Sequence, residues 1–306
     1  IGTGAQVDAG EALNITAEAS ELNITAAISG AAASTAGVVV TTGVKTIETN
    51  TQAYIGAGTL INTDTDYSGP NQTVIIFAKD TTTIVGVVGG GAGGSTAGVG
   101  AANDTNVLLK TVKAYIAAPA DETIDGAEVN ATGNIIITAE STETIVSITA
   151  GFAGGGSAGV AGAAGVLVST NDIQAYVGSE AVVVTDGSVA VCATDDLVLV
   201  MLSGSGAGGG AAGVGASVAV STIINSVQSY VGTNAQITAL GQGTAIPFYT
   251  GEAGKVKDDA RGVLVGAYTS EDVVLIVVSG AGGGSAGVAL SAGVTVIKNT
   301  TQAYID

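Results

Sequence analysis

The sequence predicts an all-β fold, a β-solenoid of parallel coils expected to wind right-handed, and three observations predict it. Five Ala-Gly-Val tripeptides are centred on Gly37, Gly98, Gly159, Gly213 and Gly287, and a tyrosine follows each glycine after 17 residues: Tyr54, Tyr115, Tyr176, Tyr230 and Tyr304. Paired markers at constant spacing are the signature of tandem structural units. Short runs rich in Val, Ile and Thr fill the units, several alternate with period two, and no segment keeps a 3.6-residue apolar stripe. Glycine-rich tracts recur between these runs, at a density that stable helices do not tolerate. Strands that cannot bury a face alone, repeated in register, stack into one continuous body.

The array covers residues 1–306 as units of about 1–54, 55–115, 116–176, 177–230 and 231–304. In the first unit Ala31-Ala32-Ala33 stands where the others carry glycines. The second, third and fourth place strands at one phase, at 73–78, 134–139 and 188–193, bounded by Asn, Asp, Thr and Gly. Further runs at 196–200 and 272–278 read as the next strand of their units. Successive tyrosines lie 61, 61, 54 and 74 residues apart, so length varies between a tyrosine and the next Ala-Gly-Val. The longest excursion is an insertion at 241–271 in the fifth unit. A unit is either about three triangular coils rising ~14 Å, or one or two wide coils rising about 5–10 Å, at the strand spacing of ~4.8 Å. Either way the five tyrosines form a ladder, accompanied by Asn171, Asn225 and Asn299, each five residues before its tyrosine, as amides that would bond one another. The chain opens on Ile1-Gly2, as after Tyr54, and stops just after Tyr304; five whole units in phase suggest an excerpt of a longer array.

Composition narrows the function. The hydrophobic fraction is 46% with only 4% aromatics and no Trp, so the core is built of small and β-branched side chains. A net charge of −18 argues against nucleic acid and against an anionic membrane surface. The uncharged stretch 197–251 is broken by glycines and lacks the apolar 20-mer of a spanning helix. Glycine tracts such as Gly89–Gly94 and Gly208–Gly210 lack the following helix and lysine of a phosphate loop, and a plainer cause is backbone passing close to backbone. Cys192, the single cysteine, reads as a small buried hydrophobe. With no histidine in the chain, nucleophilic triads and most metal sites lose their usual base or ligand, and no enzyme is expected.

Units of the form Ala-Gly-Gly-Gly-Ser-Ala-Gly-Val, then Ala-Ser-Val-Ala-Val, then Gln-Ala-Tyr-Ile/Val, are carried best by Gly282–Val288 with Asn299–Ile305 and by Gly208–Val220 with Val227–Val231. These resemble the glycine-rich repeats of giant bacterial filamentous surface adhesins, the leukotoxin-type proteins akin to filamentous haemagglutinin. The resemblance spans essentially the whole chain except the first unit, where Ala31-Ala32-Ala33 replaces the glycine run, and the insertion after Gly241. It implies export to the cell surface, a parallel β-helical stalk or fibre, association with neighbouring repeats or identical chains, and no catalytic residues.

Candidate binding residues fall in the insertion, where an exposed loop with aromatics and mixed charge interrupts a monotonous scaffold: Phe248, Tyr249, Lys255, Lys257 and Arg261. A carbohydrate- or Ca²⁺-binding surface there is the alternative to a purely structural role. Asp64, Asp66 and Tyr67 place alternate oxygens near a turn, as a hard cation would want, but lack the closing Glu of a calcium loop and read better as a solvated turn. Asp121, Glu122 and Asp125 read the same way. No resident cofactor is expected, Ca²⁺ being the one ion these carboxylates could hold.

Overall fold

The structure, a computed structural model, describes every residue except 65, 67, 68 and 250–256, and all described side chains except that of Lys257. One 61-residue unit makes a single wide coil. The first coil is β1 (Gln6–Val7), β2 (Leu13–Ala33) and β3 (Ala36–Ile55); the second is β4 (Leu60–Ile61), β5 (Val74–Gly94) and β6 (Ala97–Ile116). The third is β7 (Glu128–Ala131), β8 (Ile135–Gly155) and β9 (Ala158–Val177); the fourth is β10 (Val182–Thr185), β11 (Val189–Gly209) and β12 (Ala212–Val231). The fifth comprises β13 (Gln236–Ala239), a hairpin of β14 (Ile246–Tyr249) and β15 (Lys257–Ala260), then β16 (Val263–Gly283) and β17 (Ala286–Ile305).

Equivalent strands pair in parallel without a slip, giving three five-stranded sheets in the orders β1-β4-β7-β10-β13, β2-β5-β8-β11-β16 and β3-β6-β9-β12-β17. The two long sheets, 21 and 20 residues wide, face each other across a two-residue turn, and the short sheet spans their far ends. At ~3.3 Å per residue each coil is about 70 Å wide while adding only ~4.8 Å of height. No α-helix occurs among the described residues, and none is long and apolar enough to cross a membrane.

Three sequence readings are corrected. The runs at 188–193 and 196–200 are one strand, β11, and 272–278 lies within β16. The constant part of a unit is therefore both long strands and their turn, not just the stretch from glycine to tyrosine. The last residues assigned to the insertion belong to the coil, because Val263–Glu271 pairs with Val189–Leu197 as part of β16.

The coil is a wedge, and its inward side chains shrink along it. At the wide end the three sheets enclose Ile61, Ile76, Ile116, Val129, Ile137 and Ile173, all fully buried. A second apolar layer holds Ile84, Leu108, Ile145, Leu167, Leu199 and Met201. Near the turn only alanines remain, Ala153, Ala161 and Ala207, and beyond them the two sheets meet as bare backbone. A Cβ at Gly98, Gly159 or Gly213 would stand 2.2–2.4 Å from the carbonyl oxygen of Gly154, Gly208 or Gly282 in the facing sheet of the next coil. Gly37 stands in the same relation to Gly93, at 2.3 Å. The glycine of Ala-Gly-Val is thus fixed by convergence of the sheets. At the opposite corner Gly4, Gly58, Glu180 and Asn234 occupy one column, each with φ between 59° and 72°.

Candidate functional site

The repeat tyrosines stack along the outer face of the β3-β6-β9-β12-β17 sheet. Neighbouring ring centroids lie 4.7–5.2 Å apart with interplanar angles of 5–11°. Burial by neighbours, then the adjoining rings, push the phenols of Tyr115 and Tyr176 above the usual range; burial does the same for Tyr230. Since each ring covers the next, the ladder presents edges and hydroxyls rather than open faces, which suits a staple between coils better than a stacking platform. The asparagines are in register, but their amides do not bond one another: Asn225 Nδ2 donates to Glu271 Oε1 at 2.9 Å, while Asn171 Nδ2 and Asn225 Oδ1 have no partner.

The insertion folds back as the β14–β15 hairpin over the outer face of β8, β11 and β16. Phe248 and Tyr249 line a pocket of about 260 Å³ with Ile246 and Pro247 from the same strand. Its floor comes from outward positions of the long strands: Thr138 and Glu140, Cys192 and Thr194, and Tyr268. Tyr249 and Tyr268 stack at 4.9 Å, joining hairpin to floor, and Ile246 is buried beneath the hairpin. The aromatic and apolar walls against one carboxylate and two threonine hydroxyls can hold a small amphipathic ligand.

The predicted residues separate. Phe248 and Tyr249 come together in the pocket. Lys257 pairs with Tyr249 along the hairpin backbone. Arg261 lies at the hairpin's base, its Nη1 donating to the Gly241 carbonyl at 3.5 Å. Lys255 lies outside the described residues. Cys192 is not an interior hydrophobe: it points outward from β11 into the pocket floor, and burial pushes its thiol up to about 11. Tyr268 and Glu140 were not anticipated; tyrosines off the 17-residue spacing were the available signal for Tyr268.

The acidic turns close on themselves. Asp64 Oδ1 accepts the Asp66 N–H at 3.0 Å, and Asp64 N–H donates to Asp8 Oδ1 at 3.1 Å. Tyr67 lies outside the described residues. Asp121 accepts from the side chain and backbone of Thr123, bonds that hold its carboxyl below the usual range. Among the described residues no group of three or more Asp, Glu, Cys or His could hold a metal.

A polar layer, not anticipated, runs between the two apolar layers. Lys110 Nζ lies 2.6 Å from Asp80 Oδ1 and 2.8 Å from Glu143 Oε1, all three without side-chain exposure. Asp195 in the next coil is equally buried. Burial, then the Glu143 carboxylate, hold its carboxyl well above the usual range. Glu21, at the other end of the layer, is raised by burial and then by Asp80. Nearer the turn, Lys45 and Asp104 form a second buried pair at 2.5 Å. Ser147 and Asn106 donate to the far Asp104 oxygen at 2.6 and 3.1 Å. Gly86 makes room for this pair, since a Cβ there would sit 2.3 Å from Asp104 and 2.6 Å from Lys45 Nζ.

A shallow groove crosses the outer face of the β2-β5-β8-β11-β16 sheet near the turn. Outward glycines Gly91, Gly93, Gly154, Gly208, Gly280 and Gly282 floor it, and a Cβ at any of them would meet nothing within 4 Å. Phe152 stands in this floor, 59% exposed.

Searches against protein families, curated proteins and solved structures return no match to this chain.

Proposed function

We propose that this chain is a structural and adhesive segment of a large bacterial cell-surface or extracellular filament protein, and that it acts as a stiff stalk or fibre element without catalysis. The supporting observation is the unbroken register of paired 21- and 20-residue strands through five coils, closed by a continuous tyrosine column. Backbone hydrogen bonds then run along the stacking axis, and each coil braces the next with some forty ladder positions, as repeat arrays require. Immunogold labelling of the producing cells with antibody against this chain is expected to decorate surface or extracellular fibres. Label confined to the cytosol would refute the reading.

The hairpin pocket favours a second reading, a glycan-binding module. Aromatic walls with a carboxylate and hydroxyls offer both apolar contact and oriented hydrogen bonds to a sugar. Glycan-array binding lost in Tyr249→Ala would support it; binding unchanged in that variant would exclude the pocket.

A further inference from the structure

Besides Asn171 Nδ2 and Asn225 Oδ1, the polar layer leaves two carboxylates without full partners. Both carboxylate oxygens of Asp195, and Glu143 Oε2, are buried without a hydrogen-bond donor. Other carboxylate oxygens of the layer do find donors: Lys110 reaches Asp80 Oδ1 and Glu143 Oε1, Ser141 Oγ donates to that same Oε1, and Asn225 Nδ2 donates to Glu271 Oε1. A buried carboxylate with no donor costs far more than a folded protein sustains. Ser141 is the register partner of Asp195, and Glu143 is the next inward position of the same strand; two neighbouring buried carboxylates do not both stay charged.

We propose that Asp195 and Glu143 share one proton, Asp195 donating to Glu143 Oε2, and that this bond clamps the third coil to the fourth. A single proton removes one of the two buried charges, and the acid form of Asp195 supplies the donor that Glu143 Oε2 lacks. The charged groups facing Asp195 are Glu143 on β8, Glu271 on β16 and, across the wedge, Lys110 on β6; β9 and β12 contribute the neutral Asn171 and Asn225. Lys110 is already held by Asp80 and Glu143, so it leaves Asp195 without a cation of its own.

Asp195 keeps its proton in the folded chain but loses it near pH 4 when unfolded. Stability from the clamp is complete below that value and drains away as pH rises toward the folded-state titration. Acid tightens the stack.

The test compares the wild-type chain with Asp195→Asn, whose amide donates to Glu143 at every pH and so preserves the fold. From about pH 5 up to the folded-state titration of Asp195, the folding equilibrium constant of wild type should fall about tenfold more per pH unit than that of the variant, the slope of one proton. Infrared difference spectra at pH 5, where an ordinary carboxyl is already ionised, should show a protonated-acid carbonyl band in wild type that Asp195→Asn removes. Equal pH slopes, or no such band, would overturn the proposal. So would stabilisation of wild type by added Ca²⁺ or Na⁺ that vanishes in Asp195→Asn, since a cation rather than a proton would then bridge the pair.

Discussion

Two glycines in direct apposition test the wedge with one methyl group each. A Cβ on Gly159 would lie 2.2 Å from the Gly208 carbonyl oxygen and 2.9 Å from its carbon, whereas a Cβ on Gly208 points to open space. Ordinary contact begins at 3.4 Å, so Gly159→Ala must part the two sheets by roughly 1 Å. The obstacle is backbone, pinned by ladders to the coils above and below, so the strain belongs at the upper end of overpacking, about 3 kcal/mol. Replacing glycine in a strand returns roughly 0.5–1 kcal/mol of backbone entropy. Gly159→Ala should therefore lose about 2 kcal/mol, and Gly208→Ala should gain about 0.5–1 kcal/mol. Urea unfolding followed by circular dichroism reads the difference as separated midpoints with similar slopes. Equal midpoints, or a reversed order, would refute the idea that convergence of the sheets dictates the glycine of Ala-Gly-Val.

Other perturbations reach other layers. Lys110→Met strands the buried Asp80 and Glu143 carboxylates and should cost about 3–5 kcal/mol, read from urea unfolding curves at pH 7. Glu180 holds a left-handed backbone at a corner where Gly4 and Gly58 of two other coils hold the same conformation, so Glu180→Gly should raise stability by roughly 1 kcal/mol, read as a higher melting temperature. With the Tyr115, Tyr176 and Tyr230 phenols raised in the folded chain, stability is intact below the usual tyrosine value near 10 and is lost as pH climbs above it. Phenolate absorbance for these rings should appear only together with unfolding; a fast phenolate rise for all the tyrosines in folded protein would contradict the stacking.

The period and class of the fold are legible because packing repeats them. Ala-Gly-Val marks the convergent tip, and the tyrosine marks the far end of the same strand. Coil width was hidden by the polar layer. Ala193-Thr194-Asp195-Asp196 reads as a turn between two strands because Asp and Thr favour turns, yet it is the middle of β11, where Asp195 faces inward. Alternation could have shown this: Asp80 falls on the same parity as Val74, Ile76 and Ile84, and Lys110 on that of Leu108 and Val112. Their pairing needs one more fact, the tight turn after Gly94, which sets residues equidistant from it face to face. Asp80 then meets Lys110, and Gly86 meets Asp104. Counting outward from the equivalent turn after Gly209 sets Asp195 opposite Asn225. The hairpin obeys no such count. Its seat depends on Tyr249 finding Tyr268, a contact made by loop geometry that no periodicity encodes. Scaffold is therefore written in the period of this chain, while the hairpin and its pocket are written where the period is broken.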